Sequence, residues 1–403
     1  MNIGLFTDSY DPLVDGTATV VRTLARGLQR AGHVVSIVTA QHPDAVPEKN
    51  VVRVPSVPLP IEPQYRLSLP LAPPALKHQM EDLDLDIIHS HTPGPLGLLA
   101  LHLAASTSVP IIYTSHTMYE DRLHLLPLGR RMARRHLGTV SRRFADRHTA
   151  VVAPSRKMML TLDRYGVSVP THLVPNGIPL DAFMNHPEPG EVREFRRCNR
   201  IADDERLVTY VGRISREKAL DVLLRNFARV ASVAPYARLL LAGDGPERGA
   251  LMKLARDLGV DARVVFTGYL AWPQQVSLAL HASHVFASAS RSEVHPVSFL
   301  EALATGTPVV ALRDPSTDDI VTDGEGGFLF EDEARLHEGI LRLLLMAPKG
   351  YRELRDSSLS RARCFSSDVF VERMIELYEH YAAGNGVAAD ARNAHPAIVG
   401  AAE

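Results

Sequence analysis

Cysteine is nearly absent. Cys198 and Cys364 are the only two in 403 residues, too few and too isolated for a disulfide framework or a zinc site. That usage suits a reducing cytoplasm. An excess of one charge is missing as well: 44 Lys and Arg against 46 Asp and Glu leave a formal charge of −2, which argues against a nucleic-acid binder driven by global charge. No signal-peptide pattern opens the chain, because Asn2, Asp8 and Asp11 interrupt it early and MNIGLF reads as a strand. The longest uncharged run, residues 95–115, contains His102, a Ser106-Thr107-Ser108 break and Pro110. It reads as helix, turn and strand, so no membrane span is expected. The glycine spacing G-x-G-x-x-G of a dinucleotide site is lacking, and LAGDGPERG has no Lys-Ser/Thr ending of a P-loop. Hydride transfer and ATP hydrolysis both recede.

What is present is enough apolar residue to build real cores, 45% hydrophobic against 22% charged, in a chain long enough for two or three domains. The first half alternates short apolar runs with helical patterns: IGLFTD, VVRTLARGLQRAG, VVSIVTA, DLDIIHS, a helix from Pro95, IIYTSHT and HTAVVAPS. The second half repeats the rhythm with RLVTYVGRI, DVLLRNFARVA, ARLLLAGDG, RVVFTGYL, HVFASAS, TPVVAL and GGFLF. Two open α/β units follow, each a doubly wound parallel sheet. Prolines and glycines in PNGIPLDAFMNHPEPGEV mark a linker, with the boundary near Pro187. The expected organisation is one α/β unit at 1–186, a second at 187–364, a helix at 365–383 packing back on the first unit, and a frayed tail at 384–403.

In open parallel sheets ligands sit outside the carboxyl ends of strands. The chemistry-bearing residues fall there. In SRSEVHPVSFLEALATGTPVVA, Glu293 ends a strand and loop, and Glu301 sits inside the following helix between Leu300 and Ala302. A carboxylate in an apolar helix is costly unless something pairs with it, and a ribose diol would satisfy it; a solvated helix edge is the plainer explanation. In VGRISREK, Arg213 closes a strand and Lys218 follows five positions later, ahead of a helix, where two cations can grip a diphosphate. Gly16, in DSYDPLVDGTATVV, precedes a helix and lets backbone approach a phosphate, or simply serves a turn. His116, in YTSHTMYED, lies in a polar setting at a strand end. His89 and His91 lack a third ligand at metal spacing and read as loop packing or substrate contacts. Between residues 122 and 147, Arg122, Arg130, Arg131, Arg134, Arg135, Arg142, Arg143 and Arg147 face only Asp146 among apolar residues. Such a basic amphipathic segment can lie on an anionic membrane.

Together FTDSYDPLVDGTATVV, YTSHTMYED, VVAPS, VPNGI, YVGRISREK, LAGDGP, FTGYL and the Glu293/Glu301 pair resemble the retaining glycosyltransferases of family 4, over nearly the whole chain. SHTMYED followed by a basic helix looks most like the bacterial enzymes that glucosylate diacylglycerol. The resemblance implies the GT-B fold, two Rossmann-like units facing across a cleft, and retention with no obligatory metal. It implies that Arg213 and Lys218 bind the donor diphosphate and that Gly16 brings backbone against it. Glu301 would hold the ribose, while Glu293, Leu270 and the amides of Val297 and Ser298 would serve the donor. His116 would meet the sugar near its reacting face, and Arg130, Arg131, Arg134 and Arg135 would face the membrane. Val294, His295 and Pro296 stand where Gly-Phe-Gly is frequent, and Pro296 cannot donate an N–H, which leaves the sugar open. The expected co-substrate is UDP-glucose, with GDP-mannose the alternative. The expected acceptor is a lipid such as diacylglycerol, met from the cytoplasm on the inner membrane face. A soluble inositol, aminocyclitol or secondary metabolite is the alternative acceptor. A nucleotide-sugar-binding regulatory protein without turnover is the non-enzymatic alternative.

Overall fold

The computed structural model describes residues 1–13, 15–59, 62–69, 79–80, 82–120 and 130–384, with the backbone alone for 62–64 and 130–135. The chain divides into two compact units, Met1–Gly177 with Ser367 onward, and Ile178–Ser366.

The first unit contains β1 (Asn2–Thr7), α1 (Gly16–Arg30), β2 (Val34–Ala40), β3 (Val51–Val54), β4 (Ser56–Leu59), β5 (Glu62–Ser68), β6 (Ile87–Ser90), α2 (Pro95–Thr107), β7 (Ile111–Thr114), α3 (Arg130–Ala145), β8 (Ala150–Ala153), α4 (Arg156–Tyr165) and β9 (Thr171–Leu173). Among the described residues, seven of its strands form one sheet in the order β3-β2-β1-β6-β7-β8-β9. Every pairing is parallel. The strands β6, β7 and β8 are buried along their whole length, which is why β8 is an unbroken apolar run and β6 and β7 each open on two consecutive isoleucines instead of alternating. The uncharged run at 95–115 is α2, a turn through Ser108 at φ 58°, and β7. Thirteen residues of helix reach only about 20 Å, short of a bilayer core. No described helix is long and apolar enough to cross a membrane. The antiparallel pair β4 and β5, with Val57 opposite Leu67, escaped the sequence reading because Pro55 and Pro58 interrupt the pattern; such prolines are tolerated only at sheet margins.

The second unit contains α5 (Asp181–Met184), α6 (Pro189–Cys198), β10 (Arg206–Val211), α7 (Leu220–Val233), β11 (Ala237–Ala242), α8 (Arg248–Asp257), β12 (Val264–Gly268), α9 (Gln274–His281), β13 (Val285–Ser288), α10 (Val297–Ala304), β14 (Val309–Leu312), α11 (Pro315–Asp318), β15 (Gly327–Phe330), α12 (Leu336–Leu344) and α13 (Pro348–Arg363). Its sheet runs β12-β11-β10-β13-β14-β15, again parallel throughout. Both sheets start centrally, build to one edge, return, and build to the other. The order therefore reverses between β1 and β6 and between β10 and β13. Loops leaving those neighbouring strands turn in opposite directions and leave a crevice at the carboxyl ends.

The segment read as a linker belongs largely to the second unit. Ile178 and Phe183 are completely buried in its core beside Leu280, Phe286 and Phe299, and the Ile178 amide donates to the Phe365 carbonyl at 3.0 Å. The unit therefore begins nine residues ahead of Pro187, because two apolar anchors lie among the prolines and glycines that suggested irregular chain. The last helix, α14 (Ser367–Ala382), returns to the first unit and packs on α1. A Cβ at Gly27 would fall 2.3 Å from Val371 Cγ2, so only glycine lets the two helices approach this closely. Tyr378 is completely buried and its hydroxyl lies 2.6 Å from His89 Nδ1, while Tyr381 meets His172 Nε2 at 2.8 Å. The Arg30–Asp368 pair at the helix entry is exposed and adds little.

The closeness of α1 and α14 generates a stability prediction. Gly27→Val should lower unfolding stability by about 1–3 kcal/mol through overpacking. Combined with Val371→Ala it should cost less than the sum of the two single changes, because the methyls that collide are removed. Urea unfolding of the four proteins in the cycle measures this.

Candidate active site

In the second unit, the ends of β10 and β11 are packed backbone against backbone. The Gly212 amide donates to the Ala242 carbonyl at 2.9 Å and the Ile214 amide to the Asp244 carbonyl at 2.9 Å. Gly243 (φ 142°) and Gly245 (φ 157°) permit this: a Cβ on the first would lie 1.9 Å from the Gly212 oxygen, and on the second 2.3 Å from the Ile214 oxygen. The effect is to hold Arg213 at the mouth of the crevice, where the Tyr210 hydroxyl donates to its carbonyl at 3.1 Å.

Lys218 ends a 3-10 turn, Arg216–Lys218, ahead of α7. The loop after β13 is tied to that turn by Ser292, whose hydroxyl donates to the Glu217 carbonyl at 3.0 Å. The tie brings Glu293 to Lys218. The ammonium donates to both carboxylate oxygens, at 2.8 and 2.9 Å, with only 22% and 12% of the two side chains exposed. Two residues expected to grip separate parts of a donor thus hold each other here. An incoming diphosphate would take over a cation already poised, releasing a carboxylate toward whatever the diphosphate carries.

Val294 and His295 are buried, and Pro296 is the N-cap of α10. Val297 and Ser298 open the helix, so their amides are among those without an intrahelical acceptor and lend positive potential to the crevice. His295 packs 5.6 Å from the Phe365 ring. Burial and the Arg361 charge push its imidazole down to about 3, so it stays neutral and fills an aromatic position.

Glu301, one turn into α10, is only 4% exposed, so the solvated-edge explanation fails. Trp272 Nε1 donates to its Oε1 at 2.7 Å. Burial raises the carboxyl to about 7, and the indole hydrogen bond opposes that rise. The carboxyl therefore has one lone pair already engaged, and is not the fully available pair of oxygens that the sequence suggested. Leu270 is partly buried in the same core. The sequence reading passed over Trp272; its signal was a lone tryptophan in the loop after FTGYL.

The first unit gathers its own polar cluster at the ends of β1, β6 and β7. Asp8 accepts from the Thr92 hydroxyl at 2.5 Å, and burial raises its carboxyl to about 6 while that hydrogen bond pulls it down. Asp15 caps α1 through the Ala18 amide at 2.8 Å and accepts from Ser9 Oγ at 2.6 Å. Gly16 is the first helical residue, exposed, with nothing within 4 Å of a Cβ built there. Packing thus does not demand glycine, which leaves room for backbone to approach a ligand.

His116 Nε2 lies 2.9 Å from His91 Nδ1, the rings stacked at 5.2 Å. Burial drives His116 down to about 4, opposed by the Asp15 charge, so at neutral pH it is a hydrogen-bonding imidazole and not a cation. His89 is fixed by the Tyr378 hydroxyl and by Thr114 Oγ1 at 2.7 Å. The two histidines of IIHSHTPGP are thus the packing and support for His116. Among the described residues no three His, Cys, Asp or Glu side chains cluster as metal ligands. The arginines at 130, 131, 134 and 135 lie on α3, whose backbone is described; their side chains, and Arg122, lie outside the described residues.

The Glu301 environment sets a pH dependence. A carboxyl raised from its ordinary value to about 7 on folding binds a proton more tightly in the folded chain, so stability falls as pH rises from about 4.5 to 7 and then levels. Glu301→Gln should remove that loss. Compared with wild type, the variant should gain roughly 2–3 kcal/mol of stability between pH 5 and pH 8 in chemical unfolding.

Comparison with known families agrees with this architecture. Residues 14–182 match the family model described as Glycosyltransferase Family 4, and residues 191–358 match Glycosyl transferases group 1. An alpha-monoglucosyldiacylglycerol synthase of Streptococcus pneumoniae is 34% identical over 94% of this chain and 85% of its own length. A protein of the same name from Acholeplasma laidlawii is 27% identical over 85% of this chain and 88% of its own. Among solved structures, Anabaena HepE in complex with UDP and glucose superposes with a TM-score of 0.76 at 18% identity, covering 94% of this chain and 99% of that one. With two parallel doubly wound units and both family models matched in sequence, the chain belongs to glycosyltransferase family 4 and is a glycosyl-transferring enzyme of the GT-B fold.

Proposed function

We propose that the enzyme transfers glucose, with retention of anomeric configuration, from UDP-glucose to the free hydroxyl of diacylglycerol at an anionic membrane surface. The observation that carries the donor half is the Lys218–Glu293 pair between the loops that follow β10 and β13, with Arg213 on the first of those loops and Val297 and Ser298 opening α10 after the second. The acceptor half is supported by the likeness to the two alpha-monoglucosyldiacylglycerol synthases. The helix α3 adds to it, since RRMARRHLGTVSRRFA carries six arginines and no acid, and each near-surface cation contributes about 1 kcal/mol toward an anionic leaflet. Binding is then peripheral, on the inner face of the cell membrane.

Chemically, the bond from the anomeric carbon to the diphosphate oxygen breaks and its electron pair leaves with UDP. Arg213, Lys218 and the α10 amides stabilise the charge that develops on the phosphate, each preorganised donor being worth about 3 kcal/mol. The acceptor hydroxyl adds to the anomeric carbon from the face the phosphate leaves. Its proton passes to the departing phosphate oxygen, so no protein nucleophile is required. Glu293, freed when Lys218 turns to the phosphate, accepts hydrogen bonds from sugar hydroxyls, Leu270 lies against the donor, and Glu301 accepts from the ribose. In the first unit, Gly16 offers backbone to the phosphate, and His116, neutral, is a hydrogen-bond partner for the sugar.

The test measures transfer from UDP-glucose to diacylglycerol in phosphatidylglycerol vesicles. Arg213→Ala and Lys218→Ala should each lower kcat roughly 100-fold in a protein that still unfolds cooperatively. Unchanged turnover in the double variant would overturn the donor assignment, and a larger thermal stabilisation by GDP-mannose than by UDP-glucose would redirect the sugar. Replacing Arg130, Arg131, Arg134 and Arg135 with Gln should release the protein from the vesicles while sparing transfer to short-chain diacylglycerol in detergent. Undiminished vesicle binding would count against membrane contact through α3.

A further inference from the structure

The ribose role of Glu301 leaves open what aims its carboxylate. Glu301 projects from the middle of α10 among Leu300, Ala302 and Leu303, all completely buried. Its one side-chain hydrogen-bond partner among the described residues is the indole of Trp272. An indole N–H can only donate, so the direction of that bond is fixed whatever the protonation state of its partner. Trp272 is itself held: its ring leans on Phe183 at 6.4 Å and 49°, and Phe183 is completely buried. The contact thus runs from a rigid core residue through the loop after β12 to one oxygen of Glu301. With Oε1 engaged, the lone pairs left for a ligand are those of Oε2 and the second of Oε1, and they point where the indole does not.

We propose that Trp272 is a positioning residue: it locks the Glu301 carboxylate in the one orientation that presents its remaining lone pairs to the two hydroxyls of a nucleotide ribose. The proposal rests on Glu301 being the ribose ligand. It also makes the chain's single tryptophan a direct neighbour of the bound nucleotide's anchor, so that occupancy of the site is felt by one fluorophore.

The experiment compares UDP with 2′,3′-dideoxy-UDP by titration calorimetry. Wild type should prefer UDP by tenfold or more, the expected order for hydrogen bonds to a charged acceptor. In Trp272→Phe, and in protein whose one tryptophan is replaced by the isosteric benzothienylalanine, which lacks the N–H, that preference should shrink to about two- to threefold while dideoxy-UDP affinity holds. Equal loss of affinity for both nucleotides would reduce Trp272 to a structural role, and an intact preference would overturn the proposal. Glu301→Gln separates the two levels. If it leaves the preference intact, the ribose reading fails and the proposal with it; if it abolishes the preference and the tryptophan variants do not, the proposal alone fails. Wild-type emission excited at 295 nm supplies a check free of any variant. UDP should shift it and dideoxy-UDP should shift it less, whereas identical responses would contradict the link through the ribose.

Discussion

A parallel sheet whose strand order reverses in the middle cannot close its own carboxyl edge, and everything chemical in this protein depends on that constraint. The loops leaving β10 and β13 must diverge, so neither covers the gap between them. Helix amides and strand-end side chains then face a crevice that the fold itself has no means of filling. The close backbone packing at Gly212, Gly243 and Gly245 sharpens the arrangement by keeping the β10 and β11 loops from collapsing across it. The first unit repeats the reversal at β1 and β6, and its half-buried Asp8 and neutral His116 gather at the equivalent edge.

Charged groups placed at such an edge need partners before substrate arrives. Lys218 and Glu293 use one another, at a geometry that satisfies both oxygens. Because both remain partly exposed, this pair stabilises the fold only modestly. Glu301 is in a harsher position, enclosed by apolar helix, and depends on a neutral donor. The two carboxylates of one short segment thus occupy contrasting environments. One is an ion held by an ion, and the other sits near the balance point between acid and carboxylate.

Much of the fold was legible because both sheets are parallel and doubly covered, so strands appear as uninterrupted apolar runs and crossovers as amphipathic ones. The strand-end positions of Arg213, Lys218, Glu293 and His116 followed from that periodicity. The pairings did not. Lys218 with Glu293 joins residues 75 apart, and Trp272 with Glu301 joins a loop to a helix; neither contact leaves a local spacing to detect. His89 and His91 read in sequence as loop packing or substrate contacts, and only the register of β6 against β7 shows which, by turning them toward Thr114 and His116. The segment after Asn176 misled because turn-forming residues outnumber the two side chains, Ile178 and Phe183, that decide where it packs.

The return of α14 to the first unit orders the protein's birth on the ribosome. The contiguous unit, 178–366, has all its strands in hand once Phe330 has emerged, whereas the unit begun first still lacks the helix that covers Gly27 and supplies Tyr378 to His89. The histidine cluster of the amino-terminal sheet therefore stays unsealed until residues 367–382 have been made. A chain cut just before Ser367 would keep the 178–366 unit whole and leave bare the flank of the first unit where Val371, Met374 and Tyr378 lie.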